Sequence, residues 1–503
     1  KTATLTRSNI NSLLFRSLEF LTDIDIDGCE NITEFTIDSC SAITDISLAD
    51  SPIIVFSATN CESLESVDVS NCRVLETFEL TGCPNVEELI MRNNNGSMMN
   101  DLQLYTLYNL KTLNVSNSSS VENIRFPKYA SQEETDRVVA LKEAHPTWTD
   151  EDCNAVLWHG LRTFTITSSS LKYVQYGSAD VATANKVCDM SQLTNLSTIS
   201  FQNCTSVEKV ENLNYTASSV NSMFSRCTNL QRVSGYLKCT SDARSLFAYC
   251  LNLTDIDDLT FDFAGVTNLS SIFACVTNGG GRGRATFTML RKILHACNSS
   301  LTTVDSMIQG CDAGTTLPDD LFSTTPNIQS ANSAFYSTTM TSLTKEFFDN
   351  IPNLRNANMM FYACSAITTI DQDIFENLTH LTTVSRMFAN CTGLVHFIDS
   401  DCDIFENNSA ITTTYAMFHN CNHMLNTNGL SGMLDPLENL TDASYMFYNV
   451  KNIKFINIYD IKYNDIFMNE IDNISELVDN NLFVFQKEDI ITNTNYKSFD
   501  YNI

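Results

Sequence analysis

One short phrase recurs nine times in the second half of this chain, and it constrains the fold more than any single residue does. An apolar pair is followed by two variable positions and, in most copies, a cysteine. The copies are Met223-Phe224-x-x-Cys227, Leu246-Phe247-x-x-Cys250, Ile272-Phe273, Met307-Ile308-x-x-Cys311, Ala334-Phe335, Met360-Phe361-x-x-Cys364, Met387-Phe388-x-x-Cys391, Met417-Phe418-x-x-Cys421 and Met446-Phe447. They start 23 to 35 residues apart. A unit of that length cannot enclose a core alone. It buries its apolar side by stacking on its neighbours, so the chain is expected to be a repeat solenoid. The fixed residues of the phrase are then packing residues first, and chemistry has to be sought between them.

Composition narrows the partners. At 503 residues the chain is too long for one ordinary core, and 43% hydrophobic residues exclude a disordered chain. With 59 acidic against 30 basic residues the net charge is −29, which repels a phosphate backbone and argues against nucleic acid. No run of eighteen apolar residues suggests a membrane span, and no signal peptide is visible. The sequence opens on Lys1 and not on Met, so the missing signal says little about export. Of the 18 cysteines, twelve occupy repeat slots. A small thiol recurring at one slot suits a buried, reduced ladder better than a disulfide framework, which needs specific Cα separations.

The N-terminal part has its own period of eleven residues. Leu21-x-x-Ile24-x-Ile26-x-x-Cys29 is followed by Ile32-x-x-Phe35-x-Ile37-x-x-Cys40, then by units closing on Ser51, Cys61, Cys72, Cys83 and Asn94. The inner pair, spaced by two, is one face of a short strand. This is the leucine-rich-repeat pattern, whose coils need about 20 to 29 residues. Two units are therefore expected to make one coil of about 22 residues, with alternate units stacked on the same side. The pattern resembles short nested bacterial leucine-rich repeats.

From Pro127 to Gly160 the period vanishes. Ser131-Gln132-Glu133-Glu134 and Thr149-Asp150-Glu151-Asp152 start two helical runs, an insertion that carries Trp148 and Trp158. A second helical insertion follows the glycine-rich stretch 279–284, which lacks a phosphate-loop pattern and reads as a hinge. The fuller later phrase, such as Leu381-x-x-Val384-x-x-Met387-Phe388-x-x-Cys391-x-x-Leu394, resembles the surface leucine-rich repeats of the BspA-like type and mycoplasma-lipoprotein repeats over about 220–458. The expected fold is a leucine-rich-repeat-like β-solenoid with short helical or 3-10 turns and two helical insertions. Its parts are the eleven-residue units (1–126), the insertion (127–160), further coils (161–219), the Met-Phe repeats (220–458, with the insertion 279–297) and a C-terminal cap or docking segment (459–503).

Several constellations invite chemistry. Asp23, Asp25, Asp27 and Glu34 match an EF-hand calcium loop, but the same residues form a half-coil in register with its successors, and no helix follows. Stacking would also place Asp23, Asp45, Ser66 and Glu88 in one column beside Asp25, Ser47 and Asp68. That acidic face offers Ca²⁺ a weak site, or is simply solvated. His419 and His423 flank Cys421 at zinc-like spacing, yet Cys421 already fills a repeat slot. Phe224, Cys227, Phe247, Cys250, Phe361, Cys364, Phe388, Cys391, Phe418 and Cys421 are read as structural. Trp148 and Trp158 are candidate recognition residues, or pack the insertion. Sequons such as those at Asn252 and Asn377 reflect a chain rich in Asn, Ser and Thr, and glycosylation is not read from them.

No nucleophile motif, C-x-x-C or catalytic triad is evident, so no enzyme and no firm cofactor is expected. The resemblance implies a non-enzymatic extracellular or cell-surface scaffold that binds a protein or glycan. A phage virion or receptor-binding fibre component is the alternative, and an enzyme carried on repeats stands behind both. The C-terminal tail is a candidate for docking into a larger assembly.

Overall fold

The computed structural model describes residues 1–4, 10–26, 31–94, 101–104, 107, 110, 112–115, 121, 123–126, 142, 163–166, 173–176, 187–191, 193, 196, 198–205, 207–275, 281–371, 373–397, 404–424, 436–450, 455–457 and 483–485. The two-helix insertion with Trp148 and Trp158 therefore lies outside the described residues apart from Lys142, as do Asp27 and, apart from Phe483–Phe485, the segment 459–503. The chain forms two compact units. One comprises Lys1–Ala217, Met223–Lys238 and Asp255–Thr260; the other comprises Ser218–Ser222, Cys239–Thr254 and Phe261–Ile503.

In the first unit, successive eleven-residue stretches alternate between two parallel sheets. Ser12–Arg16, Glu34–Asp38, Val55–Thr59 and Thr77–Thr81 pair in that order. Asp45–Ser47 and Ser66–Asp68 between them, and Glu88–Ile90, Thr112–Val115, Thr163–Ile166 and Thr198–Ser200 after them, pair in that order in a second sheet. Phe35 is in register with Phe56, and Phe56 with Phe78, so two sequence units make one coil. The alternation of a strand turns Phe35, Ile37, Phe56 and Ala58 inward, where they are fully buried. Neighbouring rings stack, at 5.9 Å for Phe35–Phe56 and 5.0 Å for Phe56–Phe78.

The slot that closes each unit joins one coil to the next. The Cys72 thiol donates to the Leu48 carbonyl (3.2 Å), Cys83 to that of Ala58 (3.5 Å), and the Asn94 amide to that of Val69 (3.1 Å). Each acceptor lies three residues before the same slot of the preceding coil on that side. Cys227 follows the rule with the Phe201 carbonyl (3.0 Å).

In the second unit the Met-Phe phrase obeys this rule too. Cys311 donates to the Phe273 carbonyl (3.1 Å), Cys364 to Phe335 (3.1 Å), Cys391 to Phe361 (3.1 Å) and Cys421 to Phe388 (3.2 Å). The phrase is a run of tight turns whose amides alternate in direction. The N–H groups of Met360, Tyr362 and Cys364 close turns within their own coil. Those of Met359, Phe361 and Ala363 instead reach the Ser385, Met387 and Ala389 carbonyls of the next coil, at 2.8–3.0 Å. The alternation needs left-handed backbone at two places, Met359 (φ 52°) and Ala363 (φ 58°), and equivalent residues repeat this in other copies. Serine holds the first place at Ser222, Ser245, Ser271, Ser306 and Ser333, and asparagine the second at Asn390, Asn420 and Asn449. Both side chains are short and polar, and asparagine in particular tolerates this region.

Inside these coils Phe335, Phe361, Phe388, Phe418 and Phe447 form a continuous stack, with ring centroids 5.5–5.8 Å apart and planes within 12°. Helix α1 (Phe287–His295) is capped by Thr286, whose Oγ1 accepts the Met289 amide, and buries Phe287, Leu290 and Leu294 on one face. Before it, Gly283 is not a hinge. It is buried and bridged to Cys311, and a Cβ there would meet the sulfurs of Cys275 and Cys311 at 2.6 and 2.7 Å. Arg282 is equally committed, to Asp312, the Cys311 carbonyl and both oxygens of Ser337. Among the described residues no helix is long and apolar enough to cross a membrane.

Fifteen described cysteines are buried thiols outside any disulfide. Burial pushes Cys364 up to about 11 and Cys421 to about 12, and raises Cys391 as well. They stay protonated near neutral pH, the form that donates. Two outcomes follow for urea unfolding and thiol labelling. Phe388→Ala should lower stability by about 3–5 kcal/mol, and Cys391→Ala, which removes the thiol bond while the Phe361 carbonyl keeps the Cys364 amide, by about 0.5–1.5 kcal/mol. Cys364, Cys391 and Cys421 should take up iodoacetamide at pH 8 only after unfolding, as read by mass spectrometry.

Candidate functional site

Outward positions of the same register carry very different side chains. The residue after the interior Phe is Ser225 or Ala248 in early copies of the phrase, but Tyr336, Tyr362, His419 or Tyr448 in later ones. Two pairs stack: Tyr336 on Tyr362 (4.8 Å, 12°) and His419 on Tyr448 (4.9 Å, 11°). In the last coils a larger cluster forms. Tyr445 makes edge contacts with Tyr415 (5.8 Å) and Tyr448 (5.8 Å), and the Arg386 guanidinium lies 5.1 Å from the centre of the Tyr415 ring. Tyr445 and Tyr448 remain 40% and 38% exposed, the other three being half-buried.

The register of the coils decides where these groups sit. Tyr445 occupies a left-handed position before Met446-Phe447, and Tyr448 follows the buried Phe447. Beside the rings runs a ladder of side-chain amides: Asn449 donates to Asn420 Oδ1 (2.8 Å), and Asn420 to Asn390 Oδ1 (2.7 Å). Burial, and then the charge of Arg386, hold His419 below its ordinary 6.5. The face therefore offers aromatic surface, hydrogen-bonding amides and one cation. The sequence reading missed this cluster, although the signal was present: aromatic residues replace Ser and Ala at one register in the last copies.

The residues singled out from sequence are placed as follows. Asp45, Ser66 and Glu88 are in register on adjacent strands, with Thr112 next, and Ser47 is in register with Asp68. Asp23 is not strand-paired into that column: its strand, Asp23–Asp25, pairs with Thr2–Thr4. Glu34 lies in the other sheet, beside Ser12 and Val55. The structure thus parts Asp23 and Glu34, the two ends of the EF-hand match. Asp68 accepts the Ser70 amide (2.8 Å) and Asp45 the Thr44 hydroxyl (2.7 Å). Among the described residues no group of three or more His, Cys, Asp or Glu is arranged to hold a metal. Near Cys421, His419 stacks on Tyr448, and the His423 Nδ1–H donates to the Thr392 carbonyl (2.6 Å).

One serine–histidine contact occurs where α1 ends. Ser323 Oγ is 3.4 Å from His295 Nε2, which is also 2.9 Å from the Asp320 carbonyl. A carbonyl only accepts, so Nε2 carries the proton and cannot take one from the serine. The Asp320 carboxylate is bound by Arg291, which holds it below the usual carboxylate range.

Residues 8–132 and 160–272 match the BspA type leucine-rich repeat region, in six copies. These residues are BspA-type leucine-rich repeats. The match spans the eleven-residue units, the first two copies of the Met-Phe phrase and the start of the third, while the motif resemblance lies over 220–458. No curated protein matches the chain. Similar solved structures include a leucine-rich repeat protein of Leptospira interrogans (11% identity, 78% of this chain and 88% of that one, TM-score 0.27). Others are a leucine-rich repeat protein of Eubacterium ventriosum (16%, 53% and 77%, 0.26) and an internalin of Listeria monocytogenes (11%, 73% and 95%, 0.25).

The His419 environment gives a pH dependence with a definite sign. Above 6.5 the imidazole is neutral both folded and unfolded. As pH falls through that value the unfolded chain takes up the proton first, so folding loses stability until the lowered native value is passed. Thermal unfolding at pH 7.5 and 5.5 should show the native chain losing more than His419→Gln. Parallel losses would remove this role from His419.

Proposed function

We propose that the chain is a non-enzymatic recognition scaffold of the cell surface or extracellular space, holding a protein or glycan on the outward positions of its coils. The supporting observation is the division of labour within each coil. Phe361, Phe388 and Phe418 repeat one interior residue with stacked rings, while the next position reads Tyr362, Ala389 and His419, buried where it is alanine and half-buried where it carries a ring. A side chain at such a position changes without disturbing the stack beneath it, which lets a solenoid vary its partner at constant fold. Aromatic and arginine side chains are the types that carry most binding energy in recognition surfaces. The BspA-type repeats and their resemblance to surface proteins support the location. The Ser323–His295 contact, with its donor already committed, supports the non-enzymatic reading.

Beads coated with the full chain should be retained on cell layers or immobilised extracellular matrix. A variant with outward rings replaced by residues found elsewhere at the same register (Tyr336→Ala, Tyr362→Ala, His419→Ala, Tyr445→Ser, Tyr448→Ala) should lose about tenfold or more of that retention. Equal retention of the variant, or no retention of native beads, would count against this function. Turnover in a broad hydrolase screen that disappears with Ser323→Ala would count against its non-enzymatic part.

A further inference from the structure

We propose that the aromatic face of the last coils, built by Tyr415, His419, Tyr445 and Tyr448 beside the Asn390–Asn420–Asn449 ladder, binds a neutral oligosaccharide. The proposal rests on the scaffold reading and names the ligand of one part of it. A pyranose has an apolar face of C–H groups and a rim of hydroxyls, each of which both donates and accepts. Rings held in mutual contact give the first a rigid platform that loses little entropy on binding. The amide ladder serves the second. A carboxamide has two N–H donors and two acceptor lone pairs, and Asn420 uses one of each within the ladder. One donor and one acceptor position on Asn420 remain, directly after His419 in the chain, and Asn449 likewise directly follows Tyr448.

Charge argues for a neutral ligand. Arg386 is the one cation of the cluster and already lies over the Tyr415 ring, while Asp442 of the last coil accepts the Ser444 amide (2.9 Å). With a chain charge of −29, a sulfated or uronic polymer would be repelled. A protein partner would favour a desolvated pocket that receives an anchoring side chain. Here the two outermost rings are about two-fifths exposed and form a platform instead.

The repeats supply variants that keep the fold. Serine stands at the Tyr445 register in five copies with the same left-handed backbone, φ 54–59°, and alanine stands at the Tyr448 register at Ala248, Ala274 and Ala389. Tyr445→Ser and Tyr448→Ala therefore remove rings without breaking the turn. Isothermal titration of the full chain would use neutral hexasaccharides of glucose, mannose, galactose and N-acetylglucosamine, with a heparin-derived hexasaccharide for comparison. At least one neutral probe should bind, each variant should weaken it about tenfold or more, and the heparin probe should give no heat. No binding by any neutral probe, unchanged binding by both variants, or preference for the heparin probe would each overturn the proposal. Adhesion of coated beads separates this from the scaffold reading. If adhesion persists with both variants and is untouched by the saccharides, the saccharide site fails and the scaffold stands. If native beads do not adhere at all, the scaffold reading itself fails.

Discussion

The slot hydrogen bond carries this architecture. Where a coil turns, a main-chain carbonyl in the interior accepts the amide three residues on, as Phe361 does from Cys364 (3.2 Å), and keeps a second lone pair for a further donor. The neighbouring coil supplies the donor from the residue that closes its own turn, as Cys83 does for Ala58 and Cys391 for Phe361. Cysteine suits the slot because it is small, apolar and still a weak donor, and burial keeps Cys364 and Cys421 protonated. Asparagine does the same work at Asn94. Where the cysteine is missing after Phe335, Thr338 fills the slot differently: its hydroxyl bonds the Phe335 carbonyl of its own coil (2.9 Å) and touches the Cys364 sulfur (3.4 Å). The bond and the stacked phenyl rings repeat at the same interval, so packing and polar satisfaction are met together.

Much of this was legible in the chain, because a repeat states its own register. The eleven-residue period, the pairing of two units into a coil and the interior role of Phe and Cys all follow from spacing, and Phe35, Phe56 and Phe78 lie as that spacing requires. What spacing cannot show is where a side chain's partner sits. The alternating amides of Met359 to Cys364 look like a helical turn in sequence, since both put an apolar residue at every third place. They differ in left-handed residues such as Met359 and Ala363, whose side chains do not announce that conformation. The acidic run at the start matched a calcium loop because a strand's period of two also spaces carboxylates by two. Only the sheets part Asp23 from Glu34. The abundance of Asn and Thr has a cause that composition alone does not give. Asn439 and Thr441 donate to the Ser409 and Thr412 carbonyls of the preceding coil, at 2.8 and 2.9 Å, so a sequon here is a pair of coil-to-coil donors.

The same division explains why the aromatic cluster was harder to see. Tyr445 and Tyr448 break no rule of the repeat; they occupy positions the repeat leaves open. Their meaning comes from company, a half-buried His419 stacked on one ring and an amide ladder alongside, which only the stacking of coils creates. A structure built this way separates stability from recognition. Interior changes cost several kcal/mol, whereas outward ones cost little. New surfaces then arise by changing residues that no neighbour in the core requires.

The claim underneath is that the Met-Phe phrase is a ladder of bonds between coils and not a loop. Hydrogen exchange read by mass spectrometry on peptides covering 357–364, 384–391 and 414–421 tests it most directly. Protection comparable to that of the strand peptides 34–38 and 55–59 is the result this account predicts. Exchange within seconds, as for an unpaired surface turn, would contradict it.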